Sequence, residues 1–266
     1  MQKKMEPMKI PELTTMLINP YNHQPLHITE THNLEDVSGN IIPVVEGIPD
    51  FLALEKVDGL NKKYQRLYDR ISPFNDITER LVSFFIDLHR LRSEWMADVE
   101  IEPGYKVLET SVGTGWNIRV LPEFAEYYGL DISSGMLRQA SRNMAKWNRS
   151  MQLFRGNAEY LPFRDHTFDC VFHVGGINFF NNRERAIAEM IRVARPGSRI
   201  VIIDETAEHI RKQYRKIPFV KSYFSSGDAD EARAVAPIAL VPPDMQEVAV
   251  KLLEKGSMYQ LSFRTV

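Results

Sequence analysis

The residues with the most chemical promise sit in one short run, Glu109-Thr110-Ser111-Val112-Gly113-Thr114-Gly115. An apolar stretch there ends in an acid and then enters a glycine-containing turn. Glycines at such a turn allow positive φ and let backbone approach a ligand closely. A helix opened by the turn would add free N–H groups and the positive end of its dipole. Many nucleoside or dinucleotide ligands would suit that much. Two details narrow the choice. A dinucleotide loop carries a third small residue three positions after its second glycine, whereas this chain has Ile118. Glu109 would also repel a pyrophosphate. A carboxylate there suits a ligand with an ammonium group and no phosphate, such as the methionine part of S-adenosylmethionine.

Further candidates follow along the chain. Asp131 closes Gly129-Leu130-Asp131 and could accept hydrogen bonds from both hydroxyls of a ribose. Asn157 and Ala158 sit in Gly156-Asn-Ala-Glu-Tyr-Leu-Pro-Phe163, a turn after another strand-like run. His173 and Asn178 fall at the end of a fourth such run, where a parallel sheet places its ligands. They are expected to meet the molecule that reacts with the bound ligand. A neutral His173 could take a proton near pH 7, or it could simply pack beside the cofactor. Glu205 and His209, past the fifth run, form a second tier. The lone Cys170 rules out an intramolecular disulfide and a cysteine-based zinc site. His23, His27 and His32 match no usual zinc spacing. No metal is expected.

The elements that must position these groups read as strand, helix, strand. Strands are predicted at 106–110, 128–131, 152–155, 169–174 and 199–204, with helices at 134–147 and 183–194, the second stopped by Arg195-Pro196-Gly197. That order implies a parallel sheet with right-handed crossovers. Residues 248–253 and 259–264 flank Lys255-Gly256 as a β-hairpin. The expected fold is therefore α/β: a seven-stranded, mostly parallel, Rossmann-like sheet with a C-terminal hairpin. Residues 55–100 read as lid helices, broken near Ser72-Pro73. Residues 1–54 read as a small β-rich accessory segment, with runs at 26–29 and 41–45 among closely spaced turn residues. The cofactor-binding domain is placed at 101–266.

Composition sets outer bounds. The 266 residues are 44% hydrophobic and 26% charged, which suits a globular protein with a buried core. Lys and Arg (33) nearly balance Asp and Glu (35), so the overall basic footprint of a nucleic-acid binder is absent. No stretch approaches the roughly 18 apolar residues of a membrane span. With no secretory leader in MQKKMEPMKI, a cytoplasmic protein is expected.

Taken in order and at their spacings, ExSxGxG, GLD, GNAEYLPF, FDCVF and VARPG resemble class I S-adenosylmethionine-dependent methyltransferases over roughly residues 60–266. The resemblance implies that Glu109, Ser111, Gly113 and Gly115 hold the methionine part. It places Asp131 on the ribose, Ile132 beside the adenine, and Asn157 with Ala158 on the adenine edge. Ser111 stands where the family often has glycine, and Asn157 where it often has aspartate. The stretch 62–76 is similar to the helical entry of the ubiquinone/menaquinone-biosynthesis type of C-methyltransferase. In that type a tyrosine–aspartate pair, matched by Tyr68 and Asp69, lies over the cofactor. Packing of Tyr64 and Tyr68 on the core explains the same spacing equally well.

The first segment is similar to a zinc-ribbon-like domain found ahead of some methyltransferases. Asn19 and Asn22 replace its first cysteine pair, which implies a degenerate, metal-free version. Absence of an Asn/Asp-Pro-Pro-Tyr/Phe run after the fourth strand counts against amine-type acceptors. Gly175, Gly176, Phe179 and Phe180 suggest an open apolar pocket for a small hydrophobic acceptor, methylated at carbon or oxygen, with 219–243 as a lid. The basic run from Arg211 to Lys221 reads as a solvated helix face. A cofactor-binding protein with an interaction or regulatory role is the alternative. The sequence leaves a homo-oligomer open.

Overall fold

The computed structural model describes residues 10–55, 57–83, 87–206, 208–209 and 236–266, and the side chains of 73–83 are not described. The short elements of the first segment are α1 (Ile10–Leu13), β1 (Leu26–Ile28), β2 (Leu34–Asp36), β3 (Ile41–Ile42), β4 (Val44–Val45) and β5 (Ile48–Pro49). Pro43, which has no N–H to donate, divides the run expected at 41–45 into β3 and β4. Strands β1, β2 and β3 form one antiparallel sheet, and β4 pairs with β5.

At the centre of this segment lies a buried carboxylate. Asp36 accepts from the side-chain amides of Asn19 (2.6 Å), Asn22 (2.8 Å) and Asn40 (2.9 Å), and from the backbone N–H groups of Ser38 and Asn40. Burial alone would raise this carboxyl. The hydrogen bonds from Asn40, Asn22 and Asn19 override that and hold it well below the usual carboxylate range. His23, His27 and His32 are exposed. Among the described residues, no group of three His, Cys, Asp or Glu side chains is arranged to hold a metal.

Two helices follow, α2 (Gly59–Ser83) and α3 (Leu88–Trp95). The break expected at Ser72-Pro73 does not occur. Pro73 cannot donate to the carbonyl of Asp69, four residues back. The Ser72 hydroxyl donates to that carbonyl instead (3.1 Å), and the helix continues. Phe84 and Phe85 lie outside the described residues, as do 210–235, which hold the basic run and most of the expected lid.

The main sheet contains β6 (Lys106–Thr110), β7 (Glu126–Asp131), β8 (Gln152–Arg155), β9 (Phe168–Val174), β10 (Ala194–Glu205), β11 (Gln246–Leu253) and β12 (Met258–Arg264). Their order is β11-β12-β10-β9-β6-β7-β8, parallel except for the two antiparallel pairings made by β12. The chain runs outward from β6 through β7 to β8, then returns to β9 on the other side. The resulting switch point, at the carboxyl ends of β6 and β9, is where ligands bind in open α/β sheets. Helices α4 (Ser134–Trp147) and α5 (Arg183–Val193) contribute to two apolar layers, one on each face.

Two elements differ from expectation. The glycine loop opens only a short 3-10 turn, Trp116–Val120, because ten residues, Pro122 among them, separate Gly115 from β7. Strand β10 begins at Ala194, so Arg195-Pro196-Gly197 lies inside it as an exposed irregularity between Ala194 and Arg199, with Gly197 at φ 77°.

Candidate active site

Helix α2 crosses the start of α4 at very close range. A Cβ on Gly135 would stand 2.3 Å from Ser72 Oγ and 3.3 Å from Asp69 Cα, so only glycine permits the approach. Asp69 then accepts from Ser133 Oγ (2.6 Å) and from the Gly135 N–H (3.0 Å), extending the cap that Ser133 provides for α4. Asp69 therefore serves a helix terminus. Its neighbour Tyr68 lines a cavity of about 400 Å3 at the switch point. Tyr64 lines it too, with its ring 4.5 Å from that of Phe179.

At one end of this cavity is the glycine loop. Ser111 adopts φ 77°, the left-handed region that glycine would occupy at lower cost, about 1 kcal/mol or more. Gly113, at φ 54°, donates its N–H to Asp131 Oδ2 (2.8 Å), and the Ser133 N–H reaches Asp131 Oδ1 (2.9 Å). Ser111, Gly113, Asp131 and Ile132 all line the cavity. Gly115, at φ 78°, does not; a Cβ there would meet Met144 Cε at 2.6 Å. Burial pushes the Asp131 carboxyl up to about 6, against the backbone hydrogen bonds that favour its charged form.

Glu109 is almost wholly buried behind the loop. Asn117 Nδ2 donates to its Oε1 (2.6 Å), and Arg92 of α3 donates to Asn117 Oδ1 (2.6 Å). Glu109 Oε2 has no partner, and burial raises the carboxyl to about 8. Arg92 itself lines the cavity, so α3 is linked to Glu109 through the Asn117 amide. Asn157 and Ala158 line the opposite wall.

The acceptor-side candidates need correction. His173 is fully buried and is not among the cavity's lining residues. Its Nδ1 lies 3.0 Å from Thr110 Oγ1, and its ring meets Phe180 edge-on. Burial pushes its pKa down to about 4, so the imidazole is neutral and a weak base at pH 7. Asn178 also lies off the cavity. It donates Nδ2 to the Glu205 carbonyl (2.9 Å) and its N–H to Asp204 Oδ2 (3.1 Å), tying the ends of β9 and β10 together. His173 pairs with Ile202, two residues short of Asp204, and Asn178 sits in a 3-10 turn beyond Gly175 and Gly176. Val174, Gly175 and Gly176 line the cavity in their place.

Asp204, at the end of β10, is the group that sequence reasoning passed over. It lines the cavity, is nearly inaccessible, and has its carboxyl pushed up to about 7 by burial. Glu205 beside it also lines the cavity and lies 3.7 Å from His209. The available signal was an acid directly after an apolar run, the same pattern that marked Glu109 and Asp131. Glu109, expected to hold the ligand, does not line the cavity but lies buried behind it with an unpartnered oxygen. With the buried Asp131 and Asp204 on the lining, this acidic surround suits a cationic ligand bearing hydroxyls. S-adenosylmethionine fits that donor set.

Comparison with known proteins agrees with this geometry. The methyltransferase-domain family matches residues 108–202. A demethylmenaquinone methyltransferase of Thermotoga maritima is 31% identical over 220 residues, covering 77% of this chain and 92% of that protein. A ubiquinone/menaquinone biosynthesis C-methyltransferase of Burkholderia multivorans is 27% identical over 77% of this chain and 88% of its own length. A demethylmenaquinone methyltransferase of Lactiplantibacillus plantarum is 33% identical, but the match spans only 61% of that protein and 53% of this chain.

Solved structures share the fold. One is a chain of the complex between the Haloferax volcanii Trm112 methyltransferase activator and a methyltransferase, with TM-score 0.54, 16% identity, and coverage of 74% of this chain and 97% of that one. Another is an S-adenosylmethionine-dependent methyltransferase from Methanococcus maripaludis, with TM-score 0.52, 18% identity, and coverage of 80% and 96%. The acid-lined cavity at the switch point and the relatedness across nearly the whole Thermotoga protein lead to one conclusion: the chain belongs to the class I S-adenosylmethionine-dependent methyltransferases.

Proposed function

We propose that this enzyme methylates a ring carbon of a small apolar hydroxylated aromatic, the reduced form of a demethylated quinone like the demethylmenaquinone in its relatives' names. The observation that carries the reading is the wall opposite the ribose site. There Tyr64, Tyr68, Phe179, Phe180 and Met258 make an apolar, aromatic surface, and Asp204 is the buried carboxyl set into it. A flat ring is held by such a wall, and its hydroxyl finds a proton acceptor there.

The bound cofactor supplies an electrophilic methyl group and keeps the electron pair of the broken carbon–sulfur bond on sulfur. Asp204, poised near neutrality, takes the hydroxyl proton. The resulting oxyanion pushes electron density onto the neighbouring ring carbon, which takes the methyl group to form the new carbon–carbon bond. The ring carbon's own proton then leaves to water as aromaticity returns, and Asp204 gives its proton back to the ring oxygen. Burial, helped by the nearby charges of Asp204, Asp131 and Glu205, holds the Tyr68 hydroxyl above the usual range. It stays a neutral donor between the two ends of the cavity.

The test is methyl transfer from labelled S-adenosylmethionine to a reduced, short-chain demethylated naphthoquinol. The expected product carries the label on ring carbon, resistant to ether cleavage. Label found on oxygen, or no transfer to the quinol by protein that binds S-adenosylhomocysteine, would overturn the reading.

A further inference from the structure

The loop that follows β8 is framed by the first segment of the chain. A bridge joins Leu17 to Phe163, flanked by Ile18 N–H donating to Pro162 O (3.1 Å) and Arg164 N–H donating to Met16 O (2.9 Å). Arg155 forms an ion pair with Asp50 at 2.7 Å. Within this frame Asn157 reaches the cavity wall. Its Nδ2 donates to Glu55 Oε1 (3.1 Å), while its Oδ1 accepts the Glu159 N–H (3.0 Å). Glu55 is held in turn by the Tyr21 hydroxyl, which donates to Oε2 at 2.8 Å, and the Tyr21 ring rests 5.3 Å from that of Tyr160.

A carboxamide has two flips of nearly identical shape but opposite hydrogen-bonding sense. Glu55, as a carboxylate, only accepts, and a backbone N–H only donates. Both contacts therefore select the same flip, and the Asn157 oxygen keeps one lone pair beyond the Glu159 contact. We propose that Tyr21 of the first segment and Glu55, the residue that directly follows it, are positioning residues that fix the Asn157 amide so that the site prefers a base carrying an exocyclic amine over one carrying a carbonyl there. This rests on the reading of Asn157 and Ala158 as the adenine contacts. It gives the accessory segment a specificity role toward the cofactor.

The test is calorimetric binding of S-adenosylhomocysteine and of its inosine analogue, in which a carbonyl replaces the amine. The wild-type protein should prefer the amine by about tenfold or more, the worth of one matched against one mismatched buried hydrogen bond. Glu55→Gln can donate as well as accept, so only the Glu159 N–H still selects the flip, and the preference should fall to within about threefold. Asn157→Asp alone sets two carboxylates against each other and should weaken S-adenosylhomocysteine about tenfold. The double variant Glu55→Gln/Asn157→Asp rebuilds an amide–carboxylate contact and should recover most of that loss, which a merely structural role for Glu55 would not produce. An unchanged preference in Glu55→Gln, or a double variant no better than Asn157→Asp, overturns the proposal. An unchanged preference in Asn157→Ala overturns the adenine assignment on which it stands.

Discussion

Two side chains on neighbouring strands divide the roles that sequence alone assigned to one. His173 has its Nδ1 beside the Thr110 hydroxyl and its ring against Phe180, so it supports the floor beneath the cavity. Asp204 lines the cavity and holds its proton near neutrality. His173→Ala should therefore cost stability, about 2–4 kcal/mol for a large-to-small change in a packed core, while turnover at saturating cofactor stays within a few-fold of wild type. Asp204→Asn should lower turnover by roughly 10²–10⁴-fold, the usual worth of a general base, with S-adenosylhomocysteine affinity little changed. Thermal unfolding, calorimetry and single-turnover rates on both variants decide the matter. A larger loss of turnover in His173→Ala than in Asp204→Asn would reverse the assignment.

The first segment shows how a small β element can be organised around an anion. In the zinc-ribbon resemblance, Asn19 and Asn22 stand in cysteine positions. Here both donate to the buried Asp36, as does Asn40. Asp36→Ala should destabilise the segment by about 3 kcal/mol, since the amides lose a charged acceptor while remaining buried. Asp36 titrates below the usual carboxylate range in the folded protein, so its contribution is present at neutral pH and above. It is lost only as the pH falls through that lowered pKa. Wild-type protein should keep its fold in a strong chelator and carry no stoichiometric metal by elemental analysis. One tightly held zinc per chain, lost on mutating Asn22 or His23, would show that the cluster is a metal site after all.

At the scale of the whole molecule, the carboxyl edge of the sheet gathers Glu109 from β6, Asp131 from β7 and Asp204 from β10. Burial raises them to about 8, 6 and 7. Each raised carboxyl binds its proton more tightly folded than unfolded. Their contribution to stability is greatest in acid and declines as the pH rises from the ordinary carboxylate range to about 8. A cationic ligand favours the ionised forms, so binding should release protons and affinity should rise with pH between about 6 and 8. Calorimetry of S-adenosylmethionine at pH 7 should give different heats in phosphate and Tris buffers, with a smaller difference for S-adenosylhomocysteine, which lacks the sulfonium charge. Identical heats in both buffers for both ligands would show that the acids do not change protonation.

The sequence determined the sheet, because its five parallel strands contain apolar runs read locally and several of the connections carry a glycine or proline. Strands 106–110 and 152–155 and helix 134–147 were legible to the residue, as was the set of small and acidic residues at the carboxyl edge. Local pattern failed where satisfaction came from elsewhere. Pro73 reads as a helix stop, yet the Ser72 hydroxyl takes the carbonyl it leaves. The loop after Gly115 reads as a helix start, yet too little chain remains before β7. Only tertiary structure decided which acids share a cavity, because facing depends on strand register and on the path of α2 and α3 above it. His173 pairs with Ile202, so it shares a face with Asp204 but lies two residues deeper in the sheet. That geometry puts Asp204 at the cavity and His173 beneath it, and it brings Glu55 within reach of Asn157, 102 residues away in sequence.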